Sequence, residues 1–206
     1  MGIKEAYAAT SNDALAVVYD AWADRCDHDL LRYGYSTPTL AVGLCVRYID
    51  RESSILDVCV GTGVIGHALS MLGYEDLIGS EMSAKMIDIA RRKKAYRNIY
   101  RAEAEKSLEF SDGAFDATIA VGWLTIGHVL AAPGLLNELV RVTRPRGHII
   151  FSLREDTRST APLQPQLYAL DRRRFWSLLE QTEAFESLPL ADRGIKHRLF
   201  VYETAA

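Results

Sequence analysis

Residues 55–69 constrain the fold of this chain more than any other part of its sequence. An apolar run rich in branched side chains leads into Gly61, Thr62 and Gly63, and a further glycine follows at Gly66. A buried strand that ends in a Gly-x-Gly-x-x-Gly turn and continues as an apolar helix is typical of nucleotide-binding α/β units. The sequence therefore predicts that a nucleotide lies against this turn.

Strands and helices are predicted to alternate through the middle of the chain. Strands are predicted at 53–60, 76–81, 98–103, 114–122 and 147–154, and helices at 63–72, 83–95 and 132–145. Two helices are predicted ahead of this part, at 14–26 and from Pro38 to residue 49, with a polar and aromatic break at 27–38 between them. Such alternation predicts a doubly wound, mostly parallel sheet.

The C-terminal tail departs from this alternation. A helix is predicted at 170–182, followed by strand-like segments at 185–190 and 197–204 with no helix between them. Two consecutive strands indicate an antiparallel hairpin at one edge of the sheet, which brings the expected total to seven strands. A reversed edge of this kind is uncommon in NAD-binding domains.

Composition narrows the class of protein. The chain has 206 residues, a net charge of −3 and 49% hydrophobic residues, which predicts one globular domain with no attraction for nucleic acid or an anionic membrane. The basic runs at 91–94 and 172–174 are not interleaved with aromatic residues, as a nucleic-acid stacking surface would be.

Three cysteines are too few for a disulfide framework or a zinc cluster, so no metal is expected. We find neither a signal peptide nor a membrane-spanning run, which favours a cytoplasmic location. A monomer or homodimer is expected.

The carboxyl group of Asp57, directly before the turn, bears on which nucleotide binds. It would repel the pyrophosphate of NAD, whereas it would attract the sulfonium and ammonium groups of S-adenosylmethionine. Glu81, at the end of the second strand, can accept both ribose hydroxyls, which occurs in sites of both kinds. Glu103 follows the third strand and can accept the adenine amino group, while the next backbone N–H bonds a ring nitrogen. Val121 ends the fourth strand, where the sulfonium would lie.

On the basis of these residues, the sequence resembles the class I S-adenosylmethionine-dependent methyltransferases. The matching segments are ILDVCVGTG, LIGSEMSAKMIDIARRK, YRAEAEKSLEFSDGAFDATIA and LLNELVRVTRPRGHIIFSL, which cover about residues 53–153 in the family's order. More narrowly, VYDAWADRCDHD and TRPRGHIIFSLRED resemble the small methyltransferase-like proteins of the Williams–Beuren region group. The resemblance implies a Rossmann-like core at 51–206, a helical lid at 1–50, and conversion of S-adenosylmethionine to S-adenosylhomocysteine. The residues expected to bind this cofactor are Tyr19, Asp57, Gly61, Gly63, Glu81, Met82, Glu103, Ala104 and Val121.

Two positions depart from the family pattern. Cys59 stands where the family usually has its first glycine, and we expect tighter packing there against the amino acid end of the cofactor. The usual Pro-Gly-Gly before the fifth strand is Pro145, Arg146 and Gly147 here. We expect Arg146 to be a surface variation without effect on the chemistry.

Acceptor-side residues are expected just beyond the ends of the strands. His128 is the candidate general base, because imidazole titrates near neutral pH, and capping of the following helix is the alternative. Trp123 could line the methyl-transfer face or pack in the core. Arg154 and Asp156 could bind a charged group of the substrate or lie in a solvated loop.

Aromatic residues in the N-terminal segment are candidates for the lid. Tyr19 and Tyr35 could contact cofactor or substrate, and a ring near a sulfonium gains cation–π attraction. Trp22 is expected to pack between helix and sheet. The alternative for the two tyrosines is ordinary core packing.

The segment after the fourth strand, AVGWLTIG, lacks the Asn/Asp-Pro-Pro-Tyr type motif that the resemblance requires for methylation of amide or adenine nitrogen. No inserted domain for a large partner is evident, which favours a small-molecule acceptor attacked through oxygen, nitrogen or carbon. Alternatives are a non-methylating enzyme that uses S-adenosylmethionine, such as a cyclase or lyase, and a non-catalytic protein that binds it.

Overall fold

Three helices precede the sheet in the computed structural model, which describes residues 2–102, 107–124, 134–158, 163–191 and 193–206. They are α1 (Ile3–Ala8), α2 (Asn12–Arg32) and α3 (Thr37–Tyr48). Ser11 caps the start of α2, because its hydroxyl accepts a hydrogen bond from the backbone N–H of Ala14 at 3.2 Å. The predicted break is shorter than expected, since α2 continues through Arg32. In this added part, Asp29 accepts a bond of 2.9 Å from the indole N–H of Trp22.

Through β5, the sheet and its connecting helices follow in the order that the sequence predicts. The elements are β1 (Ile55–Val58), α4 (Val64–Met71), β2 (Leu77–Glu81), α5 (Ala84–Arg92), β3 (Asn98–Arg101), β4 (Phe115–Ala120), α6 (Leu135–Val142), β5 (Thr143–Arg154), α7 (Glu155–Arg158), α8 (Gln164–Arg173), β6 (Trp176–Gln181), β7 (Phe185–Glu186) and β8 (Lys196–Thr204).

The strand order confirms a doubly wound sheet with a reversed C-terminal edge. It is β3-β2-β1-β4-β5-β8-β6, and the two-residue β7 pairs with β8 beside this row of seven. The pairs within β3-β2-β1-β4-β5 are parallel, whereas β8 runs antiparallel to β5, β6 and β7. The strand order reverses between β1 and β4, which is where open α/β sheets bind their ligands.

Helices cover both faces of the sheet because alternate residues of each strand point to opposite sides. On one face Ile55, Ile119 and Leu199 pack with residues of α3 and α4. On the other face Leu56, Phe151 and Phe200 pack with residues of α6 and α8. Every side chain of β1 is buried, as its apolar composition predicts.

The helix predicted to end at Pro145 ends three residues earlier, at Val142. Proline disfavours helical backbone at the residue before it, and here β5 already begins at Thr143. The pairing of β4 with β5 shifts register between Phe115 and Ala117. This irregularity accommodates Pro145, which has no N–H to give to the ladder.

The helix predicted at 170–182 is correct only over its first four residues, 170–173. Helix α8 ends at Arg173, the next residue Arg174 has a φ of 55°, and residues from Trp176 onward form β6. The Trp176 ring stacks on Tyr202 of β8 with centroids 4.0 Å apart. This long-range contact places the segment at the edge of the sheet and overrides its local preference.

Candidate functional site

A cavity of about 560 Å³ opens beside the glycine turn, where β1, β2 and β4 end. Its floor includes Asp57, Gly61, Glu81 and Val121, and residues of α1, α2 and the start of α3 form its other walls. The volume is typical of small-molecule sites. None of the described helices is long and apolar enough to cross a membrane.

The carboxyl group of Asp57 lies at the bottom of this cavity and is 3% exposed. The Tyr96 hydroxyl donates a hydrogen bond of 2.7 Å to its Oδ2. Burial raises the pKa of Asp57 to about 7, the bond from Tyr96 opposes this rise, and the nearby charge of Glu81 adds to it. The group therefore titrates near neutral pH and would gain from a cationic ligand.

Glu81 lies on the other side of the cavity floor, and its carboxylate accepts hydrogen bonds from the glycine turn and from the residues that follow β2. Its Oε2 accepts from the backbone N–H of Gly61 at 3.0 Å, and its Oε1 accepts from Met82 and Ser83 at 2.9 Å each. Burial raises the pKa of Glu81, and the three backbone donors oppose the rise. No cation pairs with either Asp57 or Glu81 in the described part of the chain.

The glycines of the turn serve different purposes. Gly61 lines the cavity with a φ of 54°, and a Cβ there would meet no atom within 4 Å, so the floor is open at this point. Gly63 lies outside the cavity wall and begins α4 with a φ of 81°. A Cβ on Gly66 would lie 2.2 Å from the Tyr96 ring, so this glycine permits the helix to approach Tyr96.

Both residues that replace family glycines have left-handed backbone. Cys59 has a φ of 61° and lines the cavity, and Arg146 has a φ of 58° at an exposed position. Residues with a Cβ are strained in this region, by roughly 1–2 kcal/mol. The backbone thus keeps the shape that glycine allows although the side chains differ.

Two aspartates of α2 join this helix to the turns around the cavity. Asp20 accepts hydrogen bonds from the Ser83 hydroxyl and, at 3.2 Å, from the backbone N–H of Lys85. Asp27 accepts one from the Thr62 hydroxyl in the glycine turn and pairs with Lys93 at 2.7 Å. The sequence analysis missed both residues. Their spacing of seven, which places them on one face of a helix, was the available signal.

Aromatic side chains also line the cavity. Tyr7, Tyr35 and Trp123 line it together with His197. Burial raises the pKa of the Tyr35 hydroxyl well above its ordinary value. That hydroxyl would lie 3.0 Å from a Cβ on Gly122, so the two segments approach closely there.

Most of the predicted site residues that the structure describes share this cavity. Those that line it are Tyr19, Asp57, Gly61, Glu81, Met82, Val121, Tyr35 and Trp123. Trp22, for which packing is expected, also lines it and packs with Cys26 and Met86. Arg154 lies outside the wall, where it pairs with Asp156 at 2.6 Å and places its guanidinium 5.0 Å from the centre of the Tyr7 ring. His128, Glu103 and Ala104 lie outside the described residues.

Comparison with known proteins points to methyltransferases. A family profile described as a methyltransferase domain matches residues 55–147, which include the glycine turn, Asp57 and Glu81. Together with the relative described next, this match supports the class I S-adenosylmethionine-dependent methyltransferase family. Human Methyltransferase-like protein 27 is 29% identical over 174 residues, which cover 82% of this chain and 67% of that protein.

Solved structures with a similar fold superpose on this chain. A putative methyltransferase in complex with the Trm112 methyltransferase activator of Haloferax volcanii has a TM-score of 0.67 and 17% identity, over 91% of this chain and 96% of that one. The [4+2]-cyclase SpnF has a TM-score of 0.63 and 17% identity, over 82% of each chain. At these identities the likeness shows the fold.

Proposed function

We propose that this protein transfers a methyl group from S-adenosylmethionine to a small-molecule acceptor. One observation carries the proposal: two buried carboxylates, Asp57 and Glu81, face one cavity and have no cationic partner among the described residues. Buried charges are normally paired, so the pair calls for a ligand with positive charge. A sulfonium with an ammonium group meets this need, whereas a pyrophosphate does not.

The residues present fit this cofactor. When bound, S-adenosylmethionine supplies an activated methyl group for in-line displacement. Glu81 keeps one lone-pair site, on Oε2, for a ribose hydroxyl after accepting its three backbone bonds. Gly61 leaves open space at the floor, and Asp57 attracts the ammonium group. Glu103 and Ala104 remain our candidates for the adenine contacts.

Helices α1 and α2 act as a lid in this proposal. Tyr7 and Tyr19 line the cavity from these helices, and Asp20 and Asp27 bind the turns on its other side. Burial, together with the nearby charge of Glu81, raises the pKa of Tyr19 well above its ordinary value, so its ring stays neutral. A closed lid excludes water and holds the reactants in line, which is most of what an activated methyl donor requires.

A small acceptor agrees with the size of the site. The cavity of about 560 Å³ has to hold both cofactor and acceptor, and its acceptor end is lined by Tyr7, Tyr35 and Trp123. Little room remains for a folded macromolecule to insert a long segment. The likeness to a cyclase keeps a non-methylating reaction as the alternative for the same site.

Methyl-labelled S-adenosylmethionine tests the proposal. The label is incubated with protein and a cell extract separated by size, with Asp57→Asn as the control variant. We expect label in the small-molecule fraction with the unaltered protein and much less with the variant. Label in the macromolecular fraction would contradict the small acceptor. Breakdown of the cofactor without transfer would support a cyclase or lyase, and an intact, bound cofactor would support a binding protein.

A further inference from the structure

Strand β6 forms one edge of the sheet, and its outer side is open. It pairs with β8 on one side, and no described strand lies beyond it. Leu178 and Leu179, in the middle of β6, are 47% and 43% exposed. An edge strand that presents unpaired backbone groups beside apolar side chains is a template for the addition of another strand.

The hydrogen bonds at the two ends of β6 show which backbone groups face outward. The carbonyl of Phe175 accepts a bond of 2.9 Å from the segment that follows β8, and the N–H of Thr182 donates one of 3.0 Å to a carbonyl of β8. In an antiparallel pair, successive residues direct their backbone groups to opposite sides. The neighbouring residues Trp176 and Gln181 therefore direct their N–H and C=O groups away from β8, into the open side.

A β-bulge at Leu179 makes β6 suitable for pairing with a second copy of itself. The register with β8 skips this residue, because Leu178 and Glu180 pair with adjacent residues of β8. A two-fold axis between Leu178 and Leu179 places Trp176 of one copy opposite Gln181 of the other. Both residues direct their backbone groups outward, so they can exchange hydrogen bonds across the axis. Without the extra residue, an outward-facing position would meet an inward-facing one.

The charges at the two ends of β6 are complementary about the same axis. Arg174, just before β6, is exposed and forms no ion pair within the described ranges. Glu183, just after β6, has a fully exposed side chain, and its ion pair with Arg198 is long, at 4.0 Å. Arg174 and Glu183 are equally far in sequence from the axis, so each lies opposite the other in the second copy. Opposite charges across an interface fix the register and the choice of partner.

We propose that two copies of this protein pair through β6 about a two-fold axis, so that their sheets form one continuous sheet. This inference goes beyond the proposed function and does not depend on it. Leu178 meets Leu179 of the second copy at the centre, and two pairs of Arg174 with Glu183 lie at the rim. Strand β6 lies three strands from β4, about 14 Å along the sheet, so the cavity stays outside the interface. An interface this small gives a weak, concentration-dependent dimer.

Charge reversal tests this pairing. Sedimentation equilibrium measures the average mass over protein concentrations of about 5 to 500 µM, and the unaltered protein should approach twice its chain mass. Arg174→Glu and Glu183→Arg, measured singly, should each weaken the dimer about tenfold, because like charges then face each other at two places. An equimolar mixture of the two variants should dimerise within about threefold of the unaltered protein, because opposite charges then meet again. Glu52→Arg, which reverses an exposed charge before β1, should leave dimerisation unchanged.

Hydrogen exchange gives a second readout that needs no variant. The amide hydrogens of Trp176 and Gln181 in the unaltered protein should exchange at least about fivefold more slowly at the highest concentration than at the lowest. A protein that stays monomeric, a dimer that survives both single reversals, or a mixture that fails to restore the dimer would overturn pairing through β6. Exchange at these two amides that is independent of concentration would also overturn it.

Discussion

Tyr96 donates a hydrogen bond of 2.7 Å to Asp57 and accepts one of 3.1 Å from the backbone N–H of Gly66. One hydroxyl group therefore joins the end of β1, the first turn of α4 and the segment before β3. The carboxylate that we expect to attract the cofactor is held in place by this tyrosine. The orientation of the Asp57 carboxylate therefore depends on a residue about forty positions away in the chain.

Tyr96→Phe should weaken cofactor binding and stability together. The pKa of Asp57 should rise further, because the bond that lowers it is lost, and Gly66 loses a partner. We expect the free energy of unfolding to fall by about 1–2 kcal/mol and the affinity for S-adenosylmethionine at pH 7 to fall several-fold. Calorimetry and urea unfolding measure both. Tyr74→Phe removes a buried hydroxyl bonded to Ile49 outside the cavity wall, and should cost stability while binding is retained.

Affinity for S-adenosylmethionine should depend on pH through Asp57. Its pKa of about 7 means that the carboxyl group is neutral at lower pH and loses its attraction for a cation. The dissociation constant should rise as pH falls below about 7, by up to about tenfold per unit. Titrations between pH 5.5 and 8.5 measure this. Asp57→Asn should show a much flatter profile, and an equally steep profile in that variant would assign the proton to another group.

Arg146→Gly should stabilise the protein. Relief of left-handed strain is worth roughly 1–2 kcal/mol, and the greater freedom of glycine in the unfolded chain removes about half of it. We expect a gain of about 0.5–1 kcal/mol in the free energy of unfolding, with no effect on cofactor affinity. Arg146→Ala is the matched control, because alanine keeps the strain and loses only the side chain. Equal stability of the two variants would show that the φ of 58° carries no cost.

Release of the cofactor should accelerate when the lid loses its carboxylates. Asp20→Asn combined with Asp27→Asn weakens the contacts of α2 with Ser83, Thr62 and Lys93. We expect a several-fold higher dissociation rate of S-adenosylhomocysteine in stopped-flow measurements, with a smaller change in association rate. Asp24→Asn, an exposed position on the same helix, should leave both rates unchanged. An unaltered dissociation rate in the double variant would mean that α2 does not gate the site.

The parts of the fold that the sequence predicts correctly are those with local signals. The apolar run of β1, the glycine turn and the start of α5 all depend on residues close in the chain. The cavity floor follows from them, because strand ends meet at one edge of a parallel sheet. For this reason the sequence predicts Asp57 and Glu81 at the same site, and in the structure both line one cavity.

The features that the sequence analysis missed depend on contacts between distant segments. Trp176 forms an edge strand because its ring stacks on Tyr202, a partner with no local signature. Tyr96, Asp27 and His197 reach the site from segments whose patterns are those of ordinary helix, turn and strand. Strand register and the packing of helices on the sheet place these residues at the site, and patterns of single residues specify neither.

Calorimetric titration of S-adenosylmethionine at pH 8 into three proteins tests the central claim most directly. These are the unaltered chain, Asp57→Asn, and Asp116→Asn, whose carboxyl group bonds Ser54 and lies outside the cavity wall. We predict one site in the unaltered chain, affinity weaker by about tenfold or more in Asp57→Asn, and no change in Asp116→Asn. No binding to the unaltered chain, or equal affinity in all three, would contradict the account.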